Sequence, residues 1–156
     1  MIKEGQKAPN FNLPNQNGED ISLSDFLGKK VVLWFFPKAS TPGWTTEGQG
    51  FRDELEHFNN KDISVIGMSA DSVQKQKNFC DKQNFSYPIL ADETKETLKA
   101  YGAWGVKKMY GREYEGIIRC SFLINEKGIV EKVYDKVKTK SHAKDILLSL
   151  IHIWRC

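Results

Sequence analysis

Only three cysteines, Cys80, Cys120 and Cys156, occur among the 156 residues. A number this small and odd excludes a disulfide framework, and in a reducing compartment such thiols are more often buried or reactive than paired. No C-x-x-C is present, which argues against a dithiol-exchange enzyme. No apolar stretch approaches the roughly 18 residues of a membrane span. The opening MIKEGQKAPNF is polar and lacks the apolar centre of a signal peptide, so the expected location is the cytoplasm, with no membrane partner. Basic runs never exceed two residues, and the net charge of +3 comes from 23 basic and 20 acidic side chains with the signs interleaved. The basic patch of a nucleic-acid binder is therefore missing. His57, His142 and His152 are scattered without metal-ligand spacing. Neither a phosphate-binding G-x-x-x-x-G-K-[ST] loop nor a dinucleotide fingerprint appears, and no cofactor or metal is expected. With no repeat, linker or low-complexity tract, residues 1–156 read as one domain.

What is present is ordinary for a soluble globular chain: 40% hydrophobic and 28% charged residues. The first 28 residues, with Pro9, Pro14, Asn15, Asn17 and Gly18, predict an extended arm holding a short strand or hairpin. Lys30 to Phe36 is a continuous apolar run, the signature of a strand buried on both faces. Pro37 stops it, and Thr41 or Pro42 can open the next helix. Phe51, Leu55 and Phe58 fall on one helical face between Thr45 and Asn59. Ile63 to Met68 predicts a second buried strand. Asp71 or Ser72 caps a polar helix to about Asn84. A short strand at Tyr87 to Leu90 and a helix from Asp92 to near Gly102 follow. A strand is predicted at Ile117 to Ile124, a turn at Asn125 to Gly128, and a hairpin partner at Ile129 to Tyr134. A last helix from about Ser141 carries Ile146, Leu147, Leu150 and Ile151 on one face. This alternation predicts an α/β fold with a central mixed β-sheet and helices on both faces.

Ligands of open α/β sheets bind beyond the carboxyl ends of the strands. The loop from Pro37 to Gly43 leaves a central strand there and enters a helix N-terminus, where unpaired N–H groups and the dipole favour negative charge. A cysteine in that turn would have a lowered pKa; this chain has Trp44 instead.

The segment FFPKASTPGWTTEGQGFRDE resembles the active-site segment of peroxiredoxins, P-x-x-x-T-x-x-C, with Pro37 and Thr41 on the first two fixed positions and Trp44 on the peroxidatic cysteine. GQKAPNFNLPNQNGEDISLSDFLGKKVVLWFFP resembles that family's N-terminal arm and first core strand. GIIRCSFLINEKGIV resembles the strand bearing its active-site arginine, here Arg119. NFCDKQNFSYPIL resembles the segment with the resolving cysteine in the peroxiredoxin Q subfamily, also called bacterioferritin comigratory protein, and places Cys80 there. The variant with its resolving cysteine in the first helix would have it at Gln49 and is excluded. The resemblance runs from about Gly5 to Leu150 and implies a thioredoxin-like fold.

It further implies peroxide as substrate, thioredoxin or a similar dithiol as reductant, and a monomer. Arg119 would stabilise the thiolate and polarise the peroxide, Thr41 would offer a hydroxyl, Pro37 would shield the pocket, and Glu47 could orient Arg119. Trp44 cannot be the nucleophile, because indole offers one N–H donor and no thiolate. The expectation is therefore a peroxide-reductase scaffold without ordinary turnover. The alternatives are a non-enzymatic binding or chaperone-like protein on the same fold, and a peroxidase running on Cys80. Cys120 is expected in the core, facing away from Arg119. Cys156, in the tail IHIWRC, is expected at an exposed end open to an intermolecular disulfide.

Overall fold

The computed structural model describes residues 2–35, 42–109, 111–118 and 120–134, together with Ala143 and Ile146. Within these, the side chains of 42–44, 46, 47, 107–109, 112 and 114 are not described. The elements run β1 (Asn12–Pro14), β2 (Asp20–Ser22), a 3-10 turn (Leu23–Phe26), β3 (Lys30–Phe35), α1 (Pro42–Asp53), α2 (Leu55–Asn60), β4 (Ile63–Ser69), α3 (Val73–Gln83), β5 (Ile89–Ala91), α4 (Glu96–Ala100), β6 (Trp104–Met109), β7 (Arg112–Ile117), β8 (Cys120–Ile124) and β9 (Val130–Tyr134).

Five strands form the central sheet in the order β5-β4-β3-β8-β9. β3, β4 and β5 are parallel, and β8 and β9 are antiparallel additions on the other side of β3. The run KVVLWF suits the centre because successive residues point to opposite faces and both faces are covered. Val32 and Trp34 join Phe51, Phe58, Phe79, Cys80 and Ile146 in one core; Val31, Leu33 and Phe35 join Leu98, Tyr101, Cys120 and Phe122 in the other. Thus α1, α2 and α3 lie on one face and α4 with the N-terminal arm on the other. This is the mixed, doubly covered sheet that the element order predicts.

Several boundaries differ from the sequence reading. The helix opens at Pro42, one of the two openings expected, but the helical pattern expected over Thr45 to Asn59 breaks at Glu54, whose φ of −97° and ψ of 4° leave the helical region. Glu54 Oε2 instead meets His57 Nδ1 at 2.6 Å. Of the two proposed caps for α3, Ser72 is the one used, its Oγ accepting from the Lys75 N–H at 3.3 Å. The helix expected from Asp92 shortens to α4, because Lys95 adopts φ 66°. Asp92 still serves it, accepting the Leu98 N–H at 2.9 Å. A hairpin, β6–β7, forms where the sequence pattern predicts none, and the strand expected over Ile117 to Ile124 is divided between the end of β7 and β8. The Ile118 N–H turns to Ala103 O at 2.6 Å, which ends β7 before β8 starts. The β8–β9 turn forms as expected: Asn125 Oδ1 accepts from the N–H groups of Lys127 and Ile129, and Gly128 has φ 81°. Of the last helix, Ala143 and Ile146 are helical and buried; Leu147, Leu150, Ile151 and Cys156 lie outside the described residues.

The strand expected at Tyr87 to Leu90 begins two residues later, at Ile89, where its ladder with β4 starts, and a side chain binds the backbone on its other side. Gln16 Nε2 donates to Tyr87 O at 3.1 Å, and its Oε1 accepts the Ile89 N–H at 2.9 Å. A single buried glutamine so closes the sheet edge, which would otherwise present unpaired backbone groups. Gln16→Ala leaves both groups without this partner and is expected to cost about 2 kcal/mol, lowering the melting temperature by roughly 6 °C. A melting temperature equal to the parent's in differential scanning calorimetry would refute this role for Gln16.

Candidate active site

The carboxyl end of β3 delivers the chain to the first turn of α1. Trp44 is the third residue of that helix, at an N-terminus where backbone N–H groups lack intrahelical acceptors. β8 enters the sheet beside the same end of β3, with Cys120 the register partner of Phe35. Cys120 is wholly buried in the core cluster with Phe35, Tyr101 and Phe122, on the face opposite α1. Pro37, Thr41 and Arg119 lie outside the described residues, as do the side chains of Trp44 and Glu47.

Further along α1 the contacts are dense. A Cβ on Gly48 would come within 2.7 Å of the Phe85 ring and 3.2 Å of the Trp34 ring. Only glycine lets the helix backbone approach this closely. The Tyr87 hydroxyl donates to Gly48 O at 3.0 Å. Gln49 Nε2 donates to Gln83 Oε1 at 2.7 Å, and Arg52 Nη1 donates to Gln83 O at 2.8 Å. Thus α1 is fastened to the end of α3 and to the segment before β5.

Cys80 sits in α3 on this same face of the sheet, 3% exposed and in no disulfide. Burial, and secondarily the Asp81 carboxylate, push its thiol from an ordinary 9.0 up to about 12. The folded state therefore favours the protonated thiol. That contribution to stability is complete below the unfolded value near 9 and is lost as pH rises through about 12. Cys80→Ala is expected to lessen the fall of the urea midpoint between these limits. Tyr101, raised by burial, acts in both proteins, so the difference between them isolates Cys80. Parallel pH profiles would contradict the assignment.

A buried polar cluster that no motif announces lies at the carboxyl end of β4. Ser69 Oγ donates to Asp71 Oδ2 at 2.8 Å and accepts from Gln76 Nε2 at 2.7 Å, while that amide also reaches Leu90 O at 2.9 Å. This ties the first turn of α3 to β4 and β5, beside the end of the sheet where α1 begins. On the opposite face, Asp92 is buried, and desolvation raises its carboxyl against the lowering effect of hydrogen bonds from Leu98, Thr94 and Thr97.

The AhpC/TSA family model matches residues 4–133. The chain belongs to that family. Its relatives are peroxiredoxins: it is 39% identical over 148 residues to peroxiredoxin Bcp of Escherichia coli K12, covering 95% of this chain and 94% of that one. It is 44% identical over 149 residues to a putative peroxiredoxin of Buchnera aphidicola, covering 96% and 94%. A cysteine-to-serine variant of peroxiredoxin Q from Xylella fastidiosa superposes with a TM-score of 0.91 at 32% identity, covering 97% of each chain. The fold is thus the thioredoxin fold of peroxiredoxins. By family this is a peroxidase, an oxidoreductase with a peroxide substrate and a thiol reductant.

Proposed function

We propose that this chain is a peroxiredoxin Q scaffold whose own turnover is lost at one position. The observation that carries the reading is Trp44 in the first turn of α1, at the carboxyl end of β3. The motif around it aligns that position with the peroxidatic cysteine, and Cys80 with the resolving cysteine, 36 residues on. Solved structures of Xanthomonas campestris peroxiredoxin Q include two cysteine-to-serine variants whose sites are also 36 residues apart. The bacterioferritin comigratory protein of that organism reduces alkyl peroxides, and alkyl hydroperoxides with hydrogen peroxide are the substrates proposed for this scaffold.

A cysteine at position 44 would attack one peroxide oxygen as the thiolate. The O–O bond breaks, the leaving oxygen takes a proton as water or alcohol, and the sulfur becomes a sulfenic acid. The Cys80 thiol then displaces water from that sulfenic acid to form a disulfide, and thioredoxin or a similar dithiol reduces it by exchange. Arg119, Thr41 and Pro37 would hold and polarise the peroxide, with Glu47 orienting Arg119. Trp44 has no thiolate to offer, so the first step does not occur. Cys80 is a poor substitute, since its burial and raised pKa both suppress thiolate formation. The working form is proposed to be a cytoplasmic monomer. The deciding test is peroxide consumption with thioredoxin, its reductase and NADPH, comparing this chain with Trp44→Cys.

A further inference from the structure

The Cys80 thiol is shut off while α3 keeps its place, because the side chain is 3% exposed and lies in the core cluster that holds Trp34, Phe51, Phe79 and Phe85. Its helix ends one turn later in a wound-back C-terminus. Asn84 adopts φ 58°, and the N–H groups of Asn84 and Phe85 both return to Cys80 O. Phe85 then stands edge-on to Phe79 at 5.1 Å. Opening this end of α3 is a local way to expose the thiol.

Gln83 is the last residue of α3, and α1 grips it twice. Gln49 Nε2 donates to its side-chain oxygen at 2.7 Å, and Arg52 Nη1 donates to its main-chain oxygen at 2.8 Å. That carbonyl belongs to the last turn of α3 and has no intrahelical donor. The guanidinium therefore caps the helix and places positive charge against the negative end of its dipole. Arg52 is itself steadied by Asp53 Oδ1, at 3.0 Å from both Nε and Nη2. Gln49 and Arg52 are three apart and share one face of α1.

We propose that Gln83 is a positioning residue for Cys80: the Gln49–Gln83–Arg52 clamp, and not the global stability of the domain, sets how often the Cys80 thiol opens to solvent. If Cys80 is the resolving cysteine, as proposed above, the clamp also times the disulfide step. The exposure itself is measurable whatever residue 44 is.

A second buried thiol provides the reference. Cys120 is fully buried on the other face, in a strand paired on both sides, so it opens only when the sheet does. The intact chain is treated with iodoacetamide, and alkylation is followed in the tryptic peptides 78–82 and 120–127, which carry Cys80 and Cys120 separately. Losing one hydrogen bond in Gln83→Ala is expected to speed Cys80 labelling on the order of 5-fold, and losing both in Gln49→Ala/Arg52→Ala on the order of 20-fold. Cys120 labelling stays at the parent rate. Gln83→Glu, which keeps an acceptor for Gln49, stays near the parent rate at Cys80. Unchanged Cys80 labelling, or equal acceleration of both thiols, overturns the clamp. If the double variant does not fold, the pair Gln83→Ala and Gln83→Glu decides alone. No peroxide enters the experiment, so failure of the clamp and failure of the peroxidase reading are separate results.

Discussion

Trp44→Cys is expected to raise peroxide consumption by at least about 10³-fold over this chain, since removing the nucleophile of a covalent mechanism costs that much or more. The substitution puts a thiol in the first turn of α1, where helix N–H groups and dipole favour the thiolate. Two further variants give the gain its meaning. Trp44→Ser should stay inert, because a hydroxyl at the same place has no accessible oxyanion. In Trp44→Cys/Cys80→Ser, one equivalent of peroxide should be consumed rapidly, after which turnover with thioredoxin stalls for want of a resolving thiol. Equal activity of this chain and Trp44→Cys would move the chemistry to another thiol and sink the assignment of position 44. A folded but inert Trp44→Cys would favour the non-enzymatic alternative.

Trp34→Ala should destabilise the domain more than any other single truncation on the α1 face of the sheet. The indole is fully buried near the carboxyl end of β3, stacked on Phe51 at 5.3 Å between ring centres and tilted against Tyr87 at 6.5 Å. Two glycines make room for it: a Cβ on Gly67 would stand 2.9 Å from the indole nitrogen, and one on Gly48 3.2 Å from the ring. Removing the ring leaves a cavity with two bare backbone walls, which cannot collapse by side-chain repacking. Truncations of this kind cost about 3–5 kcal/mol, and this one belongs at the upper end. In a domain of this size that lowers the melting temperature by roughly 10–15 °C. Trp104, partly exposed beneath the Lys95 ammonium at 5.0 Å, supplies the control, with Trp104→Ala expected to cost about 1 kcal/mol. A loss at Trp34 no larger than at Trp104 would mean that α1 and β4 close over the space. Because Trp34 is also the floor under Gly48, its removal should loosen the helix that carries residue 44.

The strands at the centre were legible because their signal is local. VVLWF and VIGM are unbroken apolar runs, as a doubly covered strand requires, and Asn125 to Gly128 carries its turn chemistry in its own side chains. The β6–β7 hairpin was not legible. Its strands mix Lys107, Lys108, Arg112, Glu113 and Glu115 with few apolar residues, and Val106 is 63% exposed, so no periodicity announces a buried face. The helix break at Glu54 was hidden for the opposite reason, since Phe51 and Phe58 keep a helical spacing across it and both reach the core.

By itself, then, the sequence determined the buried strands, the strand–loop–helix that carries Trp44 in its first helical turn, the absence of a nucleophile there, and the family. Each of these is written in adjacent residues or in a short motif. Only the tertiary structure decided that Gln16 closes the edge of β5, that Ser69, Asp71 and Gln76 share a buried cluster, that Cys80 is shut away with a raised pKa, and that Gln83 is held by α1. These depend on side chains separated by up to 73 residues. A polar residue read in sequence does not disclose whether its partner is water or a distant backbone group. That choice is made only when the sheet and helices pack.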